Sequence, residues 1–422
     1  MGDSRARALP ALRAFSVRLE PRLEVPRWLR YAVPAVSLIV ALLLGMIPMV
    51  MQGIDPISGY RDMLLLSFGS AYGLSETIMK AIPLMLAGLG VALAFRMLVW
   101  NIGAEGQLYM GAFGACLVAY TWPDAPAWLL LPAMIAGGFV GGALWGAIPG
   151  ALRAYLGVNE IITSLMLNYI AIQWISYLVI GPWQDPTSLG FPRTTRLGVN
   201  ATLPTITYAW YLPTIVFLAV AGVVVGYWIV RRARDARERL KLAGGYVLLA
   251  ALSLGAIYLL SGRRVHLGLV MSLAAAAILA IVLSRTTWGY EVRVIGENAR
   301  AARYAGMNLK RNILLVMMVS GGLAGLAGMS EISGNLHLIK RVFSPGYGYT
   351  AIIVAWLAKL NPWGVILVSL LLGALYRGSD AIPGAPKALG LLLQSVIFFV
   401  LIGGEVLVRY RIRFDRGTQA EA

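Results

Sequence analysis

Side chains that ordinarily make and break bonds are scarce in this chain. Cys116 is its only cysteine, so no disulfide can close within it. His266 and His337 are its only histidines and stand far apart in sequence, which leaves a His/Cys metal centre without a ligand set. No G-x-x-x-x-G-K-[ST] run occurs, so ATP is not held by that phosphate loop. Neither a metal nor a cofactor is expected, and no pair of catalytic carboxylates points to an enzyme. What remains is the hydrogen-bonding chemistry of amides and single carboxylates set among apolar residues. "WNIGAEGQLYMG" (100–111) carries Asn101, Glu105 and Gln107, with Gly103 and Gly106 loosening the backbone. "GVNEIITSLMLNYIA" (157–171) carries Asn159, Glu160 and Asn168.

The elements that hold these residues are written in the composition. Of 422 residues, 59% are hydrophobic and 13% charged, and the mean hydropathy is positive. A soluble domain carries about 25% charged residues, and many apolar runs here exceed the ~18 residues that mark a transmembrane helix. The expected fold class is therefore all-α, a polytopic transmembrane helical bundle. Twelve spans are expected, near 32–52, 77–96, 105–122, 127–150, 160–181, 211–230, 243–260, 266–284, 312–333, 347–360, 363–377 and 389–408. The tenth and eleventh are short and read equally as one broken or re-entrant element. A basic arm (1–31) precedes the bundle (32–408) and a short tail (409–422) follows it. The first span reads as an anchor, with no small-residue cleavage site behind it.

The formal charge of +17 is explained by where the cations fall. With the N-terminus inside, 26 of the 36 Lys and Arg lie on the inner side, so the positive-inside rule places both termini in the cytoplasm. Basic inner segments also suit anionic lipid headgroups. No basic stretch interleaved with aromatics and no zinc-finger spacing is present, so nucleic acid is not an expected partner.

Membrane depth gives the polar residues their alternatives. A carboxylate at mid-bilayer costs about 2.5–3.5 kcal/mol and faces protein or water. Irregular backbone at that depth occurs only where it is buried in protein or lines a cavity. Residues 100–111 read either as a broken helix beside a pathway or as a cytoplasmic turn capped by Glu105. Glu160 sits where a carboxylate complements a helix N-terminus. Asn168 lies about two turns deeper on broadly the same face, as an interhelical hydrogen bond or a ligand contact. Glu331, in "SGGLAGLAGMSEISG" (320–334), is expected to reach the outer interface. The small residues of "AGGFVGGALWGAIPG" in the fourth span let helix backbones approach closely.

One polar segment stands apart. "TTWGYEVRVIGENARAARYAGMNLKR" (286–311) falls on the cytoplasmic side and forms the 285–311 loop. Asn298 is placed to cap a helix over Ala299–Tyr304, and Gly306 to stop it. Arg300 and Arg303 share a face, with Ala299, Ala302 and Tyr304 as its less polar remainder. About two turns of helix do not persist alone in water, so this one docks on its own bundle or in a groove of a cytoplasmic partner.

Four stretches in order carry a resemblance: "NIGAEGQLYMGA", "NEIITSLMLNYIA", "TTWGYEVRVIGENARAARYAGMN" and "GYGYTAIIVAWLAKLNPWGVIL". Over about 77–408 the chain resembles the membrane permeases of bacterial ABC importers in the nucleoside and simple-sugar branch. Within that branch it is similar to the larger nucleoside permease used with basic-membrane-lipoprotein receptors. The resemblance implies a multi-pass subunit of the bacterial cytoplasmic membrane that moves nucleosides, with purines favoured, by alternating access. It implies ATP hydrolysis in a separate cytoplasmic ATPase, a second permease (a related chain or a second copy) and an extracytoplasmic substrate-binding lipoprotein. The ATPase-coupling residues so implied are Gly296, Glu297, Asn298, Arg300, Ala302, Arg303 and Gly306. The pathway is lined partly around Asn101, Glu105, Gln107, Asn159, Glu160 and Asn168. A simple-sugar permease and an ion-coupled secondary carrier are the alternatives; the carrier needs ionisable groups at mid-membrane, and the acids here lie mostly near span ends. One departure is evident: "LP" (203–204) and "VHLGLVMSL" (265–273), nearly adjacent in similar permeases, are about sixty residues apart here. The interval, 205–262, reads as a two-span insertion with the charged loop "RRARDARERLK".

Overall fold

The computed structural model describes residues 15–21, 26–206, 263–382 and 388–416, with Pro386 and isolated positions between 207 and 262. The described elements are β1 (Phe15–Pro21), α1 (Arg27–Met51), α2 (Pro56–Phe68), α3 (Ala71–Arg96), α4 (Ala104–Thr121), α5 (Ala127–Leu156) and α6 (Glu160–Ile180). After the interval come α7 (Gly268–Arg285), α8 (Thr287–Glu297), α9 (Ala299–Tyr304), α10 (Leu309–Glu331), α11 (Tyr347–Leu357), α12 (Pro362–Ala381), α13 (Ala388–Arg409) and β2 (Tyr410–Arg416). The chain divides into two compact units, one of residues 1–60 with 383–422 and one of 61–382.

Ten of the twelve expected spans coincide with helices, while 211–230 and 243–260, with the charged loop between them, lie outside the described residues. Six described helices are long and apolar enough to cross a membrane, and a bent pair, Val36–Met51 with Pro56–Phe68, would make a seventh. The helical bundle is joined by one further element at the chain ends. β1 and β2 pair antiparallel, Phe15 opposite Arg416 and Pro21 opposite Tyr410, so part of the arm and part of the tail form one ribbon. Backbone groups outside a helix need partners, and here each strand supplies them to the other.

In the smaller unit α1 packs against α13. Gly404 meets Ser37, and Gly45 faces Leu393 and the ring of Tyr60, whose hydroxyl donates to the Leu42 carbonyl at 2.8 Å.

In the larger unit α3 is the axis. Ser70 caps it, accepting from the Gly73 N–H at 3.0 Å, and from Thr77 to Phe95 almost every residue is buried. Side chains of Val354 and Val365 cover Gly88, and the backbone of α10 lies against Gly90. α4, α5 and α10 meet on glycine: Gly111 lies on Gly325, Gly114 on Gly137, and Gly142 on Gly321 and Gly325. A Cβ at any of these positions would strike the neighbouring backbone, so the small-residue run of the fourth span is a packing device.

The ambiguity at 347–377 resolves into unequal helices. α11 has 11 residues, about 16 Å at 1.5 Å per residue, which falls short of a ~30 Å hydrocarbon core. α12 has 20 and starts where Asn361 accepts from Trp363 N–H at 3.0 Å, with Pro362 in its first turn. Between them Lys359 and Leu360 are both left-handed, at φ 50° and 57°, which reverses the chain in a few residues.

Candidate functional site

α3 ends at Arg96, and Leu98 turns the chain out of the helix at φ 57°. Arg96 Nη1 donates to the Leu360 carbonyl at 3.1 Å, just beyond the C-terminus of α11. Nine residues later Glu105 Oε2 accepts from the Gly348 N–H at 2.7 Å, at the N-terminus of α11. Residues 97–103 therefore run the length of α11 without being helical. Within 100–111 the backbone is irregular up to Gly103 and helical from Ala104. Glu105 lies in the first turn of α4 and is buried against the first turn of α11, so two sets of helix N–H groups face one carboxylate.

The non-helical backbone is satisfied from one face of α6. Glu160 Oε1 accepts from Trp100 N–H at 3.5 Å, and Ser164 Oγ from Ile102 N–H at 3.3 Å. Asn168 Oδ1 accepts from Gly106 N–H at 2.8 Å while its Nδ2 donates to the Ile102 carbonyl at 2.9 Å. Spacing of four residues puts these three side chains in line on a helix. Asn101 and Gln107 form a reciprocal amide pair at 2.8 and 3.0 Å, and Asn101 Nδ2 also donates to Ser320 Oγ on α10 at 2.8 Å. Gly103 and Gly106 are required by approach, since a Cβ on either would press on Ser164 or Asn168.

Asn101, Glu105, Gln107, Glu160 and Asn168 are thus brought together, all buried. Asn159 is not part of the cluster; it is the exposed N-cap of α6, accepting from Ile161 N–H at 2.9 Å. Capping falls to Asn159, and Glu160 is free to pair with Arg153 Nε at 3.2 Å. Asn168 makes the interhelical bonds that sequence offered as one of its two readings.

The polar segment at 286–311 folds as two short helices. Thr286 caps α8, and Asn298 caps α9 by accepting from Arg300 and Ala301 N–H at 3.1 and 3.0 Å. Gly306, at φ 79°, follows the end of α9. α8 is held against the body in two places. Gly296 lies directly on the Arg96 backbone, and Glu291 Oε2 accepts from Asn312 Nδ2 at 2.6 Å. α9 is seated through Ala302, which is fully buried, whereas Glu297, Ala299, Arg300 and Arg303 are exposed. Of the less polar remainder, Tyr304 is 94% exposed and only Ala302 meets the bundle. A six-residue helix has room to bury one position on its own bundle, and Ala302 takes it.

At the opposite end, residues 182–206 contain one helical turn (Val199–Ala201) but are stitched down by backbone bonds. Thr194, Leu197 and Leu203 N–H donate to the Ile339, His337 and Ser333 carbonyls at 3.0, 2.8 and 3.0 Å. Thr187 hydrogen bonds hold the Asp185 carboxyl below the usual carboxylate range, and Arg193, at 3.4 Å, adds to the effect. Glu331 is the residue sequence reading misplaced. It is buried, not at the interface, and accepts from Asn335 Nδ2 at 2.7 Å across a π-helical turn, Ile332–Leu336. Arg264 joins Asn335 at 3.1 Å and Glu76 at 3.8 Å.

A sequence model of the branched-chain amino acid transport system permease component matches residues 73–402. The glucose ABC transporter permease protein TsgB13 of Haloferax volcanii is 36% identical over 96% of this chain and 97% of its own. The guanosine ABC transporter permease protein NupP of Bacillus subtilis is 31% identical, over 93% and 97% respectively. The nucleoside ABC transporter permease protein NupB of Lactococcus lactis is 29% identical, over 88% and 90%. No solved structure matches the chain.

Proposed function

Because the chain belongs to the branched-chain amino acid transport system permease components, and is thus a multi-pass ABC importer permease of the plasma membrane, we propose that its solute is a nucleoside of the purine class. Guanosine and nucleoside permeases among its relatives support that solute. A simple sugar is the second reading, favoured by the glucose permease at 36% identity.

The observation that carries the mechanism is the seating of α9. It is capped, exposed on every side but Ala302, and joined through α8 to the one place where α3 breaks. In our reading α9 fits a groove of a separate ATPase subunit on the cytoplasmic side, with Arg300, Arg303 and Tyr304 as its contacts. Closure of the ATPase pulls α8. Gly296, on the Arg96 backbone, passes the movement to residues 97–104, and these end at the Glu105–Gly348 contact between α4 and α11. The buried amides and carboxylates are then positioning groups: they keep an irregular segment intact while it moves between inward-open and outward-open forms. The solute path runs beside this joint, between this chain and a second permease, and an extracytoplasmic lipoprotein delivers the solute.

Uptake by the transporter complex reconstituted in liposomes tests the reading. The expected result is accumulation of labelled guanosine that needs ATP on the cytoplasmic side and is competed by other purine nucleosides. Glucose uptake without guanosine uptake would assign the sugar. Accumulation without ATP would replace the importer by an ion-coupled carrier.

A further inference from the structure

The terminal ribbon has no part in the path or the coupling helix, and both of its strands lie outside residues 73–402, which the family sequence model matches. Its register sorts the residues by face, because neighbours along a strand alternate and directly opposed residues share a side. Val17 with Phe414, Leu19 with Ile412 and Pro21 with Tyr410 fall on one face, and Phe15 with Arg416 completes it at the far end. Ser16 with Asp415, Arg18 with Arg413 and Glu20 with Arg411 fall on the other. The ribbon is thus amphipathic along seven residues of each strand, about 23 Å.

Two strands without a third are marginal in water, so the apolar face needs a cover. Among the described elements only α13 has substantial contact with the ribbon, and β2 is its direct continuation: the helix ends at Arg409 and the strand begins at Tyr410. α13 has 22 residues, about 33 Å, which matches a ~30 Å hydrocarbon core. β1 ends at Pro21 and α1 starts at Arg27. With Ser37 of α1 against Gly404 of α13, both strands leave the same end of one helix pair, at the depth where headgroups begin. The charge suits that depth. Arg409, Arg411, Arg413 and Arg416 stand within eight residues of chain, and Arg411 is exposed. Basic clusters directly beyond a spanning helix are drawn to anionic headgroups. The register adds a second reason. Arg18 stands directly opposite Arg413, where like charges destabilise a bare ribbon, and a phosphate shared by both offsets the repulsion.

We propose that the terminal ribbon is an anionic-phospholipid site on the inner leaflet. Its apolar face rests at the acyl boundary, its arginines take lipid phosphates, and the bound lipid holds the two chain ends together. The inner placement rests on the cytoplasmic position of both termini; the site does not depend on which solute is carried.

The test uses the whole transporter in nanodiscs of phosphatidylcholine, with or without phosphatidylglycerol. An environment-sensitive fluorophore is attached at Ser16→Cys, Val17→Cys, Leu19→Cys or Glu20→Cys in turn, Cys116 being buried. With phosphatidylglycerol present, quenching by nitroxide-labelled lipid is expected to alternate: strong for Val17→Cys and Leu19→Cys, at least several-fold weaker for the other two. Read from Leu19→Cys, quenching should fall at least several-fold in R18E/R413E, persist in R18K/R413K, and weaken in the parent as salt rises. The reversal keeps like charges opposed and changes only their sign toward the headgroups, so lost strand pairing does not account for the difference. Equal quenching in phosphatidylcholine alone overturns the anionic-lipid site. A blue-shifted but unquenched fluorophore at Val17→Cys overturns it in favour of a protein cover, and quenching without alternation overturns the assignment of faces. In intact cells Ser16→Cys should react with an impermeant maleimide only after permeabilisation; earlier labelling overturns the inner placement.

Discussion

Asn168 shows how much one side chain can do when the backbone beside it is not helical. Its carbonyl oxygen and amide nitrogen serve Gly106 and Ile102, on either side of the break, so neither peptide group needs water. Replacing it with leucine leaves a buried donor and a buried acceptor unmade, at about 1–3 kcal/mol each. Asn168→Leu is therefore expected to lower thermal stability in detergent clearly, and Asn168→Gln less, because the amide keeps both a donor and an acceptor. Cys116 makes the measurement direct. It is the only thiol and is fully buried, so a thiol-reactive fluorophore responds when the fold opens. If Asn168 positions the segment, uptake by the milder variant should fall in rate without a matching change in KM. Altered KM with unchanged stability would instead make it a solute contact. At this scale the sequence was partly legible. Residue type and spacing marked Asn101, Glu105, Gln107, Asn159, Glu160 and Asn168 as a set, but that Asn159 would stay outside it as an exposed cap, and whether the others face solute or each other, depends on which helix stands opposite.

Among the elements, α9 was the most legible. Asn298, the intervening alanines and arginines, and Gly306 are local signals that act within one turn, and they need no tertiary partner to take effect. Which of Ala299, Ala302 and Tyr304 would be covered was not legible, since burial of a residue on a short helix is decided by its neighbours. Removal of the cap by Asn298→Ala costs about 1 kcal/mol, enough to fray a six-residue helix. The charge reversal R300E/R303E is expected to reduce copurification of the ATPase at least several-fold while leaving membrane insertion and the Cys116 melting profile unchanged. Normal copurification together with normal uptake would remove α9 from the coupling route. α11 illustrates the limit of hydropathy reading. Its apolar run looked like a short span, and its length was visible, but its role as a strut beside residues 97–104 came from two contacts at its ends.

For the molecule as a whole, the distribution of Lys and Arg predicts sidedness, and accessibility can check it. Leu189→Cys, 94% exposed beyond α6, is expected to react with an impermeant maleimide in intact cells, whereas Tyr304→Cys should react only after permeabilisation. The reverse pattern would invert the topology and with it both docking assignments. Composition and apolar run length alone determined that this is a helical membrane protein, because a chain so poor in charge must bury its peptide groups within its own helices. Caps and stops were likewise fixed locally. Only the tertiary structure decided that Glu105 and Asn168 hold a broken segment, that Glu331 turns inward, and that three helices meet on glycine. The bonds of Glu105 and Asn168 reach residues more than sixty positions away, the glycine contacts are backbone approach between helices, and a one-dimensional pattern carries the distance between residues along the chain but not across it.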